Sequence, residues 1–200
     1  MSQAIPKFAP IRHENVIENY KEMAKSKPYL TFEYGLEAML TIFTLHDFAM
    51  FHELEDEFGT DKAVELYARI WKRRTYLEWP GLLEFVGKKE GDEITMDDLV
   101  KIMEVYFETF GNPIFLTKRD EDEVTFKVTD CPYTTQILWP MFTPEENLAY
   151  NDKIQIECNY AIFNTFLELA KLEDKWIFGF PSQLCRTNDT CEFTYRRKKF

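Results

Sequence analysis

The sequence predicts an α+β domain in which N-terminal helices pack on a small antiparallel sheet and the C-terminal half runs β-β-α-β. From Gly35 to Glu57, apolar residues recur at spacings near three and four, which indicates an amphipathic helix. Thr95–Asp98 places a hydroxyl and a carboxylate as a capping box does, which indicates the start of another helix. After Pro113 the apolar period changes to two, which is typical of strands.

The helices are expected in the first half of the chain. A short helix is predicted over His13–Lys25, in a polar stretch interrupted by prolines. Gly59 ends the helix that follows, and Thr60–Asp61 caps the next one. Pro80–Gly81 predicts a break in that helix, and Gly111 ends the helix that Thr95 begins.

The strands are expected in the second half. Ile114–Thr117 and Val124–Thr129 alternate apolar and polar residues on either side of a charged turn, so they predict a β-hairpin. A loop through Pro144 is predicted next, followed by a helix over Ile154–Lys171. Cys191–Arg196 alternates again, and we expect it to join the hairpin as a further antiparallel strand.

The chain is predicted to form one folded unit after an N-terminal extension. Residues 1–34 are the extension, and residues 35–200 are the domain. Within the domain, 35–111 is the helical part and 112–200 is the β-β-α-β part. No repeat or low-complexity tract interrupts it.

Composition excludes several classes of protein. The 200 residues are 45% hydrophobic and 16% aromatic, which is too apolar for a disordered chain. The net charge of −11 argues against a nucleic-acid or anionic-membrane partner. No apolar run approaches a membrane span, and the start has no secretory apolar region, so a cytoplasmic location is expected. Phosphate-binding glycine loops and the GxSxG motif are absent from the sequence.

The four cysteines are the strongest chemical signal. Cys131 ends a predicted strand, Cys158 lies in a predicted helix, and Cys185 and Cys191 bracket a polar turn. Thiolates bind zinc, so these four are candidate ligands of a divalent metal. The alternative, that they are ordinary buried thiols, stays open because the spacing is not CxxC.

A polar edge of the helix that carries Cys158 offers a second candidate site. Glu157, Tyr160 and Asn164 recur at helical spacing, so a carboxylate lies beside a phenol and an amide. Such a set provides a base and substrate anchors, and Asp130 supplies a second carboxylate next to Cys131. The alternatives are a solvated helix face and, for Asp130, a turn residue.

Histidines and aromatic residues complete the candidates. His46 is expected to face a pocket, whereas His52 is expected to pair on the surface with Glu55 or Asp56. Arg186 offers a positive charge for a substrate carboxylate. An aromatic set is a candidate lining for an apolar ligand cavity, with a plain core as the alternative: Trp79, Phe115, Tyr133, Trp139 and Phe142.

Two stretches resemble a known family. The first runs from Leu45-His46-Asp47 through Glu57–Ala63 to Trp71. The second lies in the C-terminal half. It consists of the hairpin that ends in Asp130-Cys131-Pro132, the helix with Glu157-Cys158, and then Cys185 and Cys191-Glu192-Phe193. Together they resemble the L-2-amino-thiazoline-4-carboxylic acid hydrolase-like family. The second stretch is also similar to the vinyl-reductase-type ligand-binding domains of bacterial aromatic sensors, which are related to transport-particle subunits.

The first resemblance implies a small hydrolase that opens a heterocyclic or amino-acid-derived carboxylate. Glu157 would be the base, and Cys158, Cys185 and Cys191 would be metal ligands or supply a nucleophile. The second resemblance implies a non-catalytic small-molecule-binding domain with a structural zinc. Ser182 stands where that pattern has an acidic ligand. A third alternative is an interaction subunit that forms a homodimer through its N-terminal helices.

Overall fold

The computed structural model describes residues 14–27, 29–109, 111–131, 143–184 and 189–199. Within these ranges the chain forms helices and strands in the order α1 Glu14–Ser26, α2 Phe32–Phe58, α3 Thr60–Phe85, α4 Met96–Thr109, β1 Ile114–Arg119, β2 Glu123–Val128, α5 Pro144–Ala170, β3 Trp176–Ser182 and β4 Cys191–Arg197.

Helices α4 and α5 each begin directly after a capping residue. The Thr95 hydroxyl accepts a hydrogen bond from the Asp98 backbone N–H at 3.2 Å, and the Thr95 N–H donates to the Asp98 carboxylate at 2.9 Å. This is the predicted capping box. Thr143 and Glu146 form the same reciprocal pair at the start of α5.

Two predicted helix limits are wrong. Helix α3 continues through Pro80–Gly81 to Phe85, because Trp79, Leu82 and Leu83 are all buried and their packing outweighs the backbone hydrogen bond that proline cannot donate. Helix α5 begins ten residues before the predicted Ile154. Pro144 occupies its first turn, where a missing N–H costs nothing.

The sheet is antiparallel and has the order β1-β2-β4-β3. The predicted hairpin pairs Ile114 with Val128, and β4 pairs along β2 with Phe193 opposite Phe126. Strand β3 was not predicted, so the C-terminal half runs β-β-α-β-β and not β-β-α-β. Residues 176–180 alternate between buried and exposed or half-buried positions, which is the period of a strand.

Helices cover one face of this sheet. The main core joins α3, α4 and α5 to the inner side of the strands, and Leu99, Phe126, Phe166 and Tyr195 are fully buried in it. A smaller cluster around Phe51 joins α2, α3 and α5. The predicted α+β class, with helices packed on a small antiparallel sheet, is therefore confirmed. No helix in the described ranges is both long and apolar enough to cross a bilayer.

Candidate functional site

A cavity of about 130 Å³ lies between the helices and the sheet, where the two core clusters meet. Its floor includes Phe163 of α5 and Phe193 of β4, and its walls include Phe43 of α2 and Trp71 of α3. Aromatic and aliphatic side chains make most of this surface. An apolar cavity of about 150 Å³ is large enough for benzene, so this cavity suits a ligand the size of one ring.

Three of the predicted metal-ligating cysteines reach this cavity. Cys131 follows β2, Cys158 is buried on α5, and Cys191 begins β4, yet all three line the same cavity. The Leu184 N–H donates a hydrogen bond to Cys191 Sγ at 3.2 Å. Burial, followed by the negative charges of Asp47 and Glu157, raises the pKa of Cys158 well above its usual value.

These sulfurs do not form a metal centre in the part of the chain that the structure describes. No three His, Cys, Asp or Glu residues there are grouped closely enough to hold an ion. Zinc needs three or four such ligands at bonding distance. The described residues therefore do not fit a zinc ion, and Cys185 lies outside the described residues.

The predicted base lies elsewhere. Glu157 is exposed and faces a shallow surface depression beside Lys72 and Asp61 of α3, not the cavity. Asn164 is exposed, and Tyr160 packs its ring against Phe178 at a centroid distance of 5.3 Å. Glu157 does not line the cavity that the three cysteines share.

The other predicted site residues are dispersed. His46 is exposed and does not line the cavity, and Asp130 is half-buried next to Cys131. His52 Nδ1 lies 3.4 Å from a Glu55 carboxylate oxygen on the surface of α2. Phe115 is exposed, and Trp79 packs in the core. Three predicted substrate-binding residues lie outside the described residues: Tyr133, Trp139 and Arg186.

The cavity has polar wall residues that sequence reasoning missed. Asp47 is only 5% exposed, and Tyr67 is 1% exposed. Asp47 follows Phe43 and precedes Phe51 at steps of four, so it lies on the buried stripe of α2, and that spacing was the available signal. Burial, with the nearby charge of Asp47 contributing, raises the pKa of Tyr67.

A cation lies behind the aromatic wall. The Arg74 guanidinium stacks over the Trp71 ring at 4.7 Å and the Phe43 ring at 5.1 Å from their centroids, and it pairs with Glu78. Burial raises the pKa of Glu78. Arg74 is not itself among the cavity-lining residues, so its side chain supports the wall from outside.

Comparison with known proteins finds solved structures of similar fold. The chain is similar to a trafficking protein particle complex subunit 3 from Naegleria fowleri, whose crystal structure contains covalently bound palmitic acid. The match has a TM-score of 0.50 and 13% sequence identity, and it covers 82% of this chain and 97% of that one. At this identity the likeness concerns the fold. No protein-family model and no curated protein matches the sequence.

Proposed function

We propose that this protein binds a small apolar ligand in the cavity between α2, α3, α5 and the sheet. The observation that carries the proposal is the cavity itself, which has mostly apolar walls yet contains buried polar groups. Ligand sites in proteins commonly combine an apolar lining with a few fixed polar groups. A merely structural core would close this space, because protein interiors pack densely.

The size of the cavity favours a ring-sized ligand. The similar trafficking subunit contains palmitic acid, which suggests an apolar group for this chain as well. At about 130 Å³, however, the space matches one aromatic ring more closely than a sixteen-carbon chain. We therefore propose a compact ligand.

A catalytic role is the second candidate, and one observation favours it. Cys158 and Asp47 line the same cavity and interact electrostatically, so a thiol and a carboxylate lie beside one space. Hydrolysis of a small heterocyclic carboxylate, as proposed from the sequence, would use this pair in place of Glu157. The raised pKa of Cys158 favours the neutral thiol, which is the weaker nucleophile, and for this reason we place binding first.

A titration tests the binding function. Ethylbenzene is added to the full-length protein while calorimetry and tryptophan fluorescence, to which Trp71 contributes from the cavity wall, are recorded. We expect saturable binding with a dissociation constant of about 0.1–1 mM. Filling the cavity by Ile162→Phe should abolish binding, whereas the same change at the exposed Ile177 should not. Equal binding by both folded variants would rule out this cavity.

A protein partner is also proposed, for the N-terminal half of α2. This half has large apolar side chains exposed on more than one side, including Phe32 at 78%, Met39 at 67% and Ile42 at 62%. Tyr34, Leu36 and Leu45 are also exposed there, and large exposed apolar patches mark interaction sites in proteins. We propose a second copy of the chain as the partner.

Sedimentation tests the homodimer. Met39→Asp with Ile42→Asp should convert a dimer to a monomer, and Ile177→Asp on the outer side of β3 should leave it a dimer. A monomeric wild-type protein at micromolar concentration would contradict the proposal. The cytoplasmic location likewise remains a proposal, and the free thiol of Cys158 suits a reducing compartment.

A further inference from the structure

Two buried polar atoms in the cavity-lining residues have no hydrogen-bond partner among the described residues. They are the Tyr67 hydroxyl oxygen and the Asn112 side-chain carbonyl oxygen. Tyr67 is almost completely buried on α3, and Asn112 follows α4 just before β1. Most buried side-chain polar atoms in native structures form hydrogen bonds. Two unpaired polar atoms in residues that line the same cavity therefore suggest that one ligand pairs with both.

The surroundings do not supply the missing partner. The Phe51 and Trp71 rings lie edge-on to the Tyr67 ring at centroid distances of 5.6 and 6.2 Å. Asp47 and Trp71 both lie near enough to act on the pKa of Tyr67, but neither side chain meets its hydroxyl with the geometry of a hydrogen bond. The Tyr67 hydroxyl can both donate and accept, and the Asn112 oxygen requires a donor.

The chemistry of these atoms restricts what can bind there. The Asn112 oxygen can only accept, so a ligand carboxylate, which has no proton at neutral pH, would leave it unpaired. A neutral hydroxyl or amide supplies the donor that this oxygen requires.

We propose that the ligand is a neutral molecule with a ring-sized apolar body and one hydroxyl or amide head group, which hydrogen-bonds to Tyr67 and Asn112. This inference rests on the proposed binding function and specifies the class of its ligand. Tyr67 acts as a specificity-determining residue. Discrimination arises because a ligand without the head group leaves both buried atoms unpaired.

The test compares three probes of similar size: benzyl alcohol, ethylbenzene and benzoate. Each is titrated by calorimetry into the full-length protein and into Tyr67→Phe, Asn112→Leu and the control Tyr160→Phe, whose hydroxyl is on the exposed edge of α5. The measured quantity is the ratio of the affinity for benzyl alcohol to that for ethylbenzene. Taking this ratio in each protein cancels the different solubilities of the two probes in water.

We expect the ratio to fall about tenfold in Tyr67→Phe and to remain unchanged in Tyr160→Phe. Tyr67→Phe should still fold, because it removes a hydroxyl that has no partner. If Tyr67→Phe fails to fold, the affinity ratio measured in Asn112→Leu provides the same test. Benzoate should bind more weakly than benzyl alcohol.

Two results would overturn the inference while leaving the binding function intact. The first is that Tyr67→Phe and Asn112→Leu still bind ethylbenzene and keep the wild-type ratio of the affinity for benzyl alcohol to that for ethylbenzene. The second is that benzoate binds the wild-type protein more tightly than benzyl alcohol does. If ethylbenzene and benzyl alcohol both fail to bind the wild-type protein, the proposed function fails and the inference falls with it.

Discussion

The Tyr195 hydroxyl on β4 donates a hydrogen bond to the backbone carbonyl of Phe163 on α5, at 3.3 Å. Tyr195 is fully buried, and burial raises the pKa of its hydroxyl well above the usual value. This bond ties the sheet to the helix next to the cavity, since Phe163 itself lines that space. The bond therefore links two residues that are 32 positions apart in sequence across the interface between helix and sheet.

Tyr195→Phe should lower the free energy of unfolding by about 1 kcal/mol, because one buried hydrogen bond is lost while the ring remains. Urea denaturation measures the change. Tyr160→Phe, on the exposed edge of α5, is the matched control and should change it by less than about 0.5 kcal/mol. Equal effects in the two variants would mean that the Tyr195 bond adds nothing to stability.

Cys158 should be the least reactive of the described thiols. In a variant that keeps only Cys158, with the other cysteines changed to serine, reaction with a disulfide reagent at pH 8 should be at least about tenfold slower than in a variant that keeps only the half-buried Cys131. The cause is burial, which raises its pKa and restricts access. Denaturant should equalise the two rates. A faster Cys158 would instead favour the catalytic candidate.

Asp98 should make the free energy of unfolding depend on pH in the acidic range. The Thr95 backbone N–H, with help from the Thr95 hydroxyl and Lys88, lowers the pKa of Asp98. A lowered folded-state pKa contributes stability above the unfolded value near 3.9, and that contribution disappears as the pH falls through the folded pKa. Asp98→Asn should therefore destabilise the protein at pH 7, and the difference from wild type should vanish near pH 2.

Thermal unfolding from pH 2 to pH 7 measures this effect, with the exposed Glu173→Gln as the control. A constant difference between Asp98→Asn and wild type across that range would show that the Asp98 charge is not responsible.

Phe166 should be among the most costly side chains to truncate. It is fully buried in the main core, where its ring contacts Tyr106 at 5.3 Å and Trp79 at 6.0 Å between centroids. Phe166→Ala should lower the free energy of unfolding by about 3–5 kcal/mol. Phe115→Ala, on the exposed side of β1, should cost less than about 0.5 kcal/mol. Chemical denaturation compares them, and similar losses would contradict the assigned core.

Local signals in the sequence correctly predicted most elements, and failed where packing or an unrecognised cap dominated. The box at Thr95 was readable because capping depends on residues three apart. The continuation of α3 past Pro80 was not, since it depends on burial against α4 and α5. The early start of α5 was available in the Thr143–Glu146 pattern, although Pro144 suggested a loop.

The candidate site divides in the same way. Periodicity and composition determined the α+β class and the presence of cysteines on separate elements, because these properties depend on neighbours within a few residues. The tertiary structure alone decided that Cys131, Cys158 and Cys191 share a cavity with Asp47 and Tyr67 while Glu157 faces solvent. Adjacent helical residues point about 100° apart, so which of Glu157 and Cys158 turns inward depends on what the helix packs against.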